Sequence, residues 1–341
     1  MNALHSRHGA SPVAVALALL ATYLLWGSTY LAIRFALPGY PPFLLTAVRM
    51  ALAGSLMFVV LRARGTPAPT RAQWKRVVVL AVFMTVLSNA LVNVAEVTVS
   101  SGLVAVGVAA MPLWAGAFSA LRGHHPSRGE WLGLLVGFSG VVWLNLGSEL
   151  SSSAVGAIAV LVAPVAWAWG SIWSRSQDLP GPFMSSATQM MVGSLMSLAV
   201  GLALGERLHG VPALAPTLGM LYLVVAGSIF GYTAYVWLLH HVRPALATSY
   251  AYVNPPIAML LGAWLLGERF SAHSLGAMLL ILLGVAIITR AKARPAPVAP
   301  AADYPAIFFS MWSSTWVCSS CGLNRITSAS CATFTVWPGG Q

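Results

Sequence analysis

Acidic side chains are scarce in this chain: 7 Asp and Glu stand against 18 Lys and Arg, and charged residues together make up 7% of the 341 residues. A water-soluble domain carries about 25% charged residues, so an ordinary soluble fold is excluded. Only Glu96 reads as a buried acid, which removes paired-carboxylate hydrolysis. The chain also lacks GxSxG, HExxH and GxxxxGK(S/T), and with them the nucleophile elbow, the zinc-protease helix and the phosphate loop. No catalytic residue, cofactor or resident metal is expected. Cysteine is missing from the body of the chain, because Cys318, Cys321 and Cys331 all fall in the last 25 residues. No disulfide framework therefore supports the fold. The Cys-x-x-Cys pair has one further Cys and no nearby His, so it lacks a fourth zinc ligand.

Apolar sequence fills the space that charge leaves. Hydrophobic residues make up 58% of the chain and the mean hydropathy is +0.80. Apolar runs fall at roughly 12–36, 43–61, 77–98, 102–121, 131–147, 153–173, 182–204, 213–239, 244–267 and 273–289. These lengths suit bilayer-crossing helices, so the reading is an all-α polytopic membrane protein with ten transmembrane helices. The first run continues past Leu24 to Ile33 without a small-residue cleavage site and reads as a retained helix.

The runs are duplicated. Val99 to Pro112 matches Val242 to Pro255 at Val, Leu and Pro with an offset of 143, and Trp26-Gly27-Ser28 recurs as Trp169-Gly170-Ser171 at the same offset. Five spans per copy is an odd number, so the copies would enter the membrane from opposite sides as inverted repeats. The expected domains are a first repeat over 12–147, a second over 153–290, and a Pro/Ala-rich, atypical tail over 291–341.

Basic residues test the span count. With ten alternating spans, fourteen Lys and Arg lie on the side of the two termini, and only Arg207 and Arg269 lie on the other. Cationic loops stay in the cytoplasm, so both ends are expected there, in a multi-pass protein of the cytoplasmic membrane. The net charge of +11 thus reflects orientation, and no nucleic-acid partner is implied.

Several residues interrupt the apolar runs in ways that suggest a solute path. Tyr23, Trp26, Tyr30 and Arg34 share one helical face. Arg49 lies six residues from the outer end of its span, about 9 Å deep. A membrane-embedded Arg costs about 2.5–3.5 kcal/mol on insertion scales, so it calls for Glu96 or an anionic group on the solute as partner. Asn89, Asn93 and Glu96 share a face of the third span, and Glu96 is the one plausible proton carrier. The second copy has Gln189 where the first has Arg49, since FLLTAVRM aligns with FMSSATQM.

Pro112 and the pair Pro255–Pro256 fall near the middle of their spans, about 15–16 Å from the starts, and act as helix breaks. They free carbonyls at Val108, Ala251 and Tyr252. Trp26, Tyr30, Asn93, Tyr250 and Asn254 complete the expected solute-binding set. Acceptors beside aromatic faces suit a solute with an amine or cationic end and an apolar body. The plainer alternative is that these prolines shape helix packing and Asn254 caps the break. Glu268, at the end of its span, reads as having a turn, packing or basic-partner role.

The stretches WGSTYLAIR (26–34), PPFLLTAVR (41–49), NVAEVTVSSGLVAV (93–106), PALATSYAYVNPPIAMLLG (244–262) and LGE (266–268) resemble EamA-family members of the drug/metabolite transporter superfamily, close to bacterial inner-membrane exporters. The resemblance implies ten helices in two five-helix repeats, a central solute site and export from the cytoplasm. Arg122-Gly123-His124 replaces the acidic LGE position in the first copy, so no role for that acid carries over there. The functional expectation is a secondary exporter of a small organic solute, a metabolite, amino acid or drug, coupled to protons. Its partners are that solute, protons and the lipid bilayer, and a homodimer is compatible with it. An uptake carrier and a non-transporting receptor or assembly factor are the alternatives.

Overall fold

The computed structural model describes residues 11–121, 127–146, 153–174, 176–242 and 249–291. Among these residues the chain forms helices and no strand. The expectations for the Arg122-Gly123-His124 stretch and for the three cysteines lie outside the described residues.

In chain order the helices are α1 (Pro12–Ala36), α2 (Pro42–Ala63), α3 (Arg71–Thr98), α4 (Ser101–Val108), α5 (Met111–Leu121), α6 (Arg128–Asn145), α7 (Ala154–Ser174), α8 (Pro182–Ala203), α9 (214–241), α10 (Tyr250–Leu266) and α11 (Ala272–Ala291). Local chemistry sets many of their starts. Ser11 accepts from the Ala14 N–H at 3.1 Å ahead of Pro12, and Pro42 and Pro182 occupy first turns, where no N–H is missed. Thr70–Gln73 and Ser127–Glu130 form reciprocal capping boxes that open α3 and α6.

Among the described residues, seven helical stretches are long and apolar enough to cross a membrane: Pro12–Ala36, Pro42–Ala63, Arg71–Thr98, Ser101–Phe118, Ala154–Ser174, Pro182–Ala203 and Leu214–Leu238. The runs expected at 244–267 and 273–289 fall on α10 and α11, whose described residues include the apolar stretches Val253–Leu266 and Ala272–Ile287. The run at 131–147 falls on α6, which has 18 residues and opens on Arg128 and Glu130. The surface carries the large apolar side chains, among them Leu20, Leu56, Leu135, Leu195, Leu260 and Leu279, each at least half exposed. Polar groups such as Thr46, Asn93, Thr188, Gln189 and Ser228 are buried. Apolar outside and polar inside is the arrangement that lipid demands.

The packing repeats itself between the halves. α2 lies along α8, and α6 along α11. α1 packs on α9 and α10, while α7 packs on α3, α4 and α5. Small residues let these pairs approach: Gly54 faces Ala187 and Met190, and Gly137 meets Gly284. Both α3 and α9 also change hydrogen-bond register in mid-course, becoming π-helical over Val82–Ala90 and Leu223–Gly231. Such widened turns are rare and gather at functional sites.

The proline expectations divide. Ala109–Ala110 forms a turn that ends α4, and Pro112 sits in the first turn of α5, so the fourth span is broken there. α10 instead runs helically through Pro255 and Pro256. Those two prolines remove backbone donors and leave acceptors such as the Ala251 carbonyl, but they do not interrupt the helical path. They stand at the sixth and seventh positions of α10 counted from Tyr250, past the first turn, so the helix forgoes two of its own hydrogen bonds there.

Candidate functional site

A cavity of about 110 Å³ lies between the two halves. Its wall is built from α1 (Trp26, Thr29, Tyr30, Ile33), α2 (Arg49), α3 (Ser88, Asn89, Val92) and the α4–α5 break (Ala105, Val108, Ala109, Met111). The second half supplies Trp167 of α7, Gly227 and Tyr232 of α9, and Tyr250, Ala251, Asn254 and Pro255 of α10.

Trp26 organises the aromatic side. Its indole N–H donates to the Gly227 carbonyl at 3.0 Å, within the π-helical stretch of α9. Its ring meets Tyr232, Tyr235 and Tyr250 with centroids 5.8, 5.1 and 4.8 Å away, and Tyr235 packs edge-on against Tyr250 at 5.4 Å. Edge-to-face pairs of this kind hold rings in place beyond what burial alone achieves. Space for the indole depends on Gly231, where a Cβ would lie 2.5 Å from Trp26 Nε1. The Tyr250 hydroxyl points to Met111 Sδ at 3.9 Å, joining α10 to the start of α5.

The polar side centres on Arg49. Its Nε donates to Ser228 Oγ at 2.8 Å, and the residue, 7% exposed, lies on the cavity wall. The other half repeats this contact without the charge, because Gln189 Nε2 donates to Thr85 Oγ1 at 3.4 Å. In each case a side chain of α2 or its counterpart α8 ties to a hydroxyl in the opposite half's π-helical stretch. Asn89 uses its amide on the Met84 carbonyl at 2.7 Å, inside the π-helical stretch of α3. Asn254 is 6% exposed and its Oδ1 has no hydrogen-bond partner.

Glu96 is fully buried, and neither carboxylate oxygen has a hydrogen-bond partner. Arg34 donates to the main-chain carbonyl of Glu96 rather than to its side chain. Tyr30 and Glu268 are its further electrostatic neighbours. The Glu268 carboxylate is itself engaged elsewhere, since its oxygens accept from the Ser101 N–H and Oγ, both at 2.9 Å, and so cap α4. Glu206 does the same for α2, accepting from the Phe43 and Leu44 N–H groups at 3.1 and 2.9 Å. Both acids follow a Leu-Gly pair whose glycine has positive φ, 80° at Gly205 and 66° at Gly267. A carboxylate meeting a helix N-terminus is electrostatically favourable.

The EamA-like transporter family model matches residues 13–146 and again 154–290. The chain belongs to the EamA-like transporter family. The uncharacterized inner membrane transporter YedA of Escherichia coli (strain K12) is 38% identical over 276 residues, spanning 81% of this chain and 90% of that protein. An uncharacterized transporter of Archaeoglobus fulgidus is 25% identical over 285 residues, 82% of this chain and 99% of the relative. A solved crystal structure covers 82% of this chain and 99% of its own with a TM-score of 0.60 at 20% identity, a likeness of fold alone. The family and both relatives are described as transporters.

In this EamA chain the cavity brings together Trp26, Tyr30, Arg49, Tyr250, Asn254 and Pro255 from the residues singled out in the sequence. It leaves out Asn93, whose Nδ2 donates to the Pro42 carbonyl at 3.1 Å and to Thr46 Oγ1 at 2.8 Å, tying α3 to the start of α2, while its buried Oδ1 has no partner. Glu96, Pro112 and Pro256 also stand off its wall. Arg49 and Glu96 do not pair: among the described residues the only ion pair is Arg76–Asp178, at 2.8 Å. Asn89, noted in the sequence only for sharing a face with Asn93 and Glu96, lines the cavity too, and Ser88, Trp167 and Tyr232 do so without having been singled out. The WGS duplication pointed two residues past Trp167, about half a turn round the helix, to Trp169, which instead stacks on Trp173. Nothing in the periodicity distinguishes Tyr232 from an ordinary buried aromatic.

Proposed function

We propose that this EamA transporter is a secondary carrier that exports a small organic solute across the cytoplasmic membrane. Ten helices in two inverted five-helix repeats, over 12–147 and 153–290, would form it, with both termini cytoplasmic. The observation that carries this reading is the cavity itself. It lies between the halves, is lined by both, and combines aromatic walls with a few polar groups, as solute sites do. The exchange symmetry of the packing, α2 on α8 and α6 on α11, supports the inverted repeat. The fourteen-to-two bias of basic residues supports the orientation. The inner-membrane relative YedA supports the location.

Glu96 is assigned as the proton carrier. It is buried, its carboxylate is free of hydrogen bonds, and Tyr30 links its neighbourhood to the cavity wall. Proteoliposome efflux with and without an inward proton gradient tests both assignments. The expected result is solute loss that the gradient accelerates, with Glu96→Gln retaining solute counterflow but losing the response to the gradient. Solute gain by expressing cells would establish uptake instead, and no flux of any solute through folded protein would leave a non-transporting receptor. Reporter fusions after Gly147 and Gly205 should read as external; a cytoplasmic signal from either breaks the ten-span arrangement.

A further inference from the structure

Arg49 carries a full positive charge into the cavity wall, and no acid answers it among the described residues. Four of the five described acids are occupied: Glu130 in the α6 capping box, Asp178 with Arg76, Glu206 on α2 and Glu268 on α4. The fifth, Glu96, makes no hydrogen bond to Arg49 or to any other residue through its carboxylate. Ser228 takes Nε alone, so the Nη groups retain donors. Gly227 preserves access to them, since a Cβ there would fall 3.2 Å from Nη2.

The charge is not required by the helix contact that positions it. Gln189 makes the equivalent contact to Thr85 with a neutral side chain, in the same type of helix pair. A guanidinium held without a counter-ion inside a membrane protein is costly, and its fork of donors matches a carboxylate. The second polar group, the unpartnered Oδ1 of the 6% exposed Asn254, is an acceptor and calls for an N–H or O–H. The rest of the wall offers the faces of Trp26 and Tyr250.

We propose that the solute is a small organic acid whose single carboxylate sits on Arg49, whose apolar body lies against Trp26 and Tyr250, and whose hydroxyl or amine hydrogen meets Asn254 Oδ1. This rests on the reading that the cavity holds the transported solute. One guanidinium balances one negative charge, which favours a carboxylate over a phosphate dianion. A solute with only a cationic end, the expectation from the acceptors alone, would meet Arg49 with like charge.

The test uses the purified full chain in detergent, with thermal unfolding followed against lactate, phenyllactate, their amides, phenethylamine and inorganic phosphate. The acids should raise the unfolding temperature, while the amides, the amine and phosphate should not. Arg49→Gln, which copies the neutral contact of the other half, should keep its ligand-free unfolding temperature and lose at least tenfold in apparent affinity for the acids. Arg49→Lys should lose less than Arg49→Gln. Asn254→Ala should weaken phenyllactate but not 3-phenylpropionate, which lacks the hydroxyl. The proposal is overturned if the acids give no shift, if phenethylamine or phosphate stabilises as well as they do, or if Arg49→Gln answers the acids like the wild type. Counterflow in proteoliposomes separates this from the transport reading. Acids that bind as described but do not cross would leave the acid site standing and the carrier function refuted. Amines that cross while acids do not would do the reverse.

Discussion

Arg49 on α2 reaches Ser228 on α9, and Gln189 on α8 reaches Thr85 on α3. The two contacts occupy matching places in the two halves, each anchored in a π-helical stretch. They differ in charge, and in where the side chain ends up. Arg49 borders the cavity, whereas Gln189 is 4% exposed and does not line it. The comparison teaches that duplication supplied a scaffold with two equivalent anchor points, and that one cation made the shared cavity polar on one side. A symmetric cavity would bind a solute in two opposed orientations; an asymmetric one selects an orientation.

The largest effect should come from placing the charge on the wrong side. Gln189→Arg buries a guanidinium with no cavity to face, at a cost of about 2.5–3.5 kcal/mol on insertion scales. Folded yield and unfolding temperature should fall sharply, and a variant as stable as the wild type would show that the second half also has access to water or to a counter-ion.

Next come the two carboxylate caps. Glu268→Ala should destabilise by about 1–2 kcal/mol, the cost of losing charge-assisted hydrogen bonds at partly exposed groups. Glu206→Ala should cost somewhat less, because Glu268 also receives the Ser101 hydroxyl while Glu206 receives only two N–H groups. Paired unfolding curves measure the difference, and a reversed order would mean that the caps differ by more than their hydrogen bonds.

Trp26→Phe should remove the bond to the Gly227 carbonyl at about 1 kcal/mol while keeping the aromatic contacts with Tyr232 and Tyr250. Weaker solute affinity at near-normal yield is the expected pattern. The smallest effect should follow Thr85→Val. It deletes a bond of 3.4 Å, longer than the 2.8 Å at Ser228, and should cost under about 1 kcal/mol. If Thr85→Val costs as much in stability as Ser228→Ala, the two anchors are energetically alike despite their lengths.

Much of this arrangement is legible in the chain itself. The offset of 143 that links Pro112 to Pro255 and Trp26 to Trp169 announces two copies, and the stripe Tyr23–Trp26–Tyr30–Arg34 marks the inward face of α1. Trp26 and Tyr30 do line the cavity, and Tyr23 and Arg34 bond to Ser249 and to the Glu96 carbonyl. Asn93 misleads for a physical reason. A buried amide in an apolar helix announces that it has a partner, but not whether that partner is a solute or, as here, the Pro42 carbonyl and Thr46.

The sequence by itself determined the solvent of this protein, its duplication and its helical periodicity, because those follow from composition and spacing along the chain. Only the tertiary structure decided the register slip to π-helix in α3 and α9, the choice of Ser228 as the partner of Arg49, and the meeting of Tyr232 and Trp167 with Trp26's side of the cavity. Each depends on which helix packs against which. Within lipid many apolar faces are interchangeable neighbours, so the pairing is settled by close fits such as Gly54 on α8 and Gly231 beneath Trp26, and a one-dimensional pattern does not contain them.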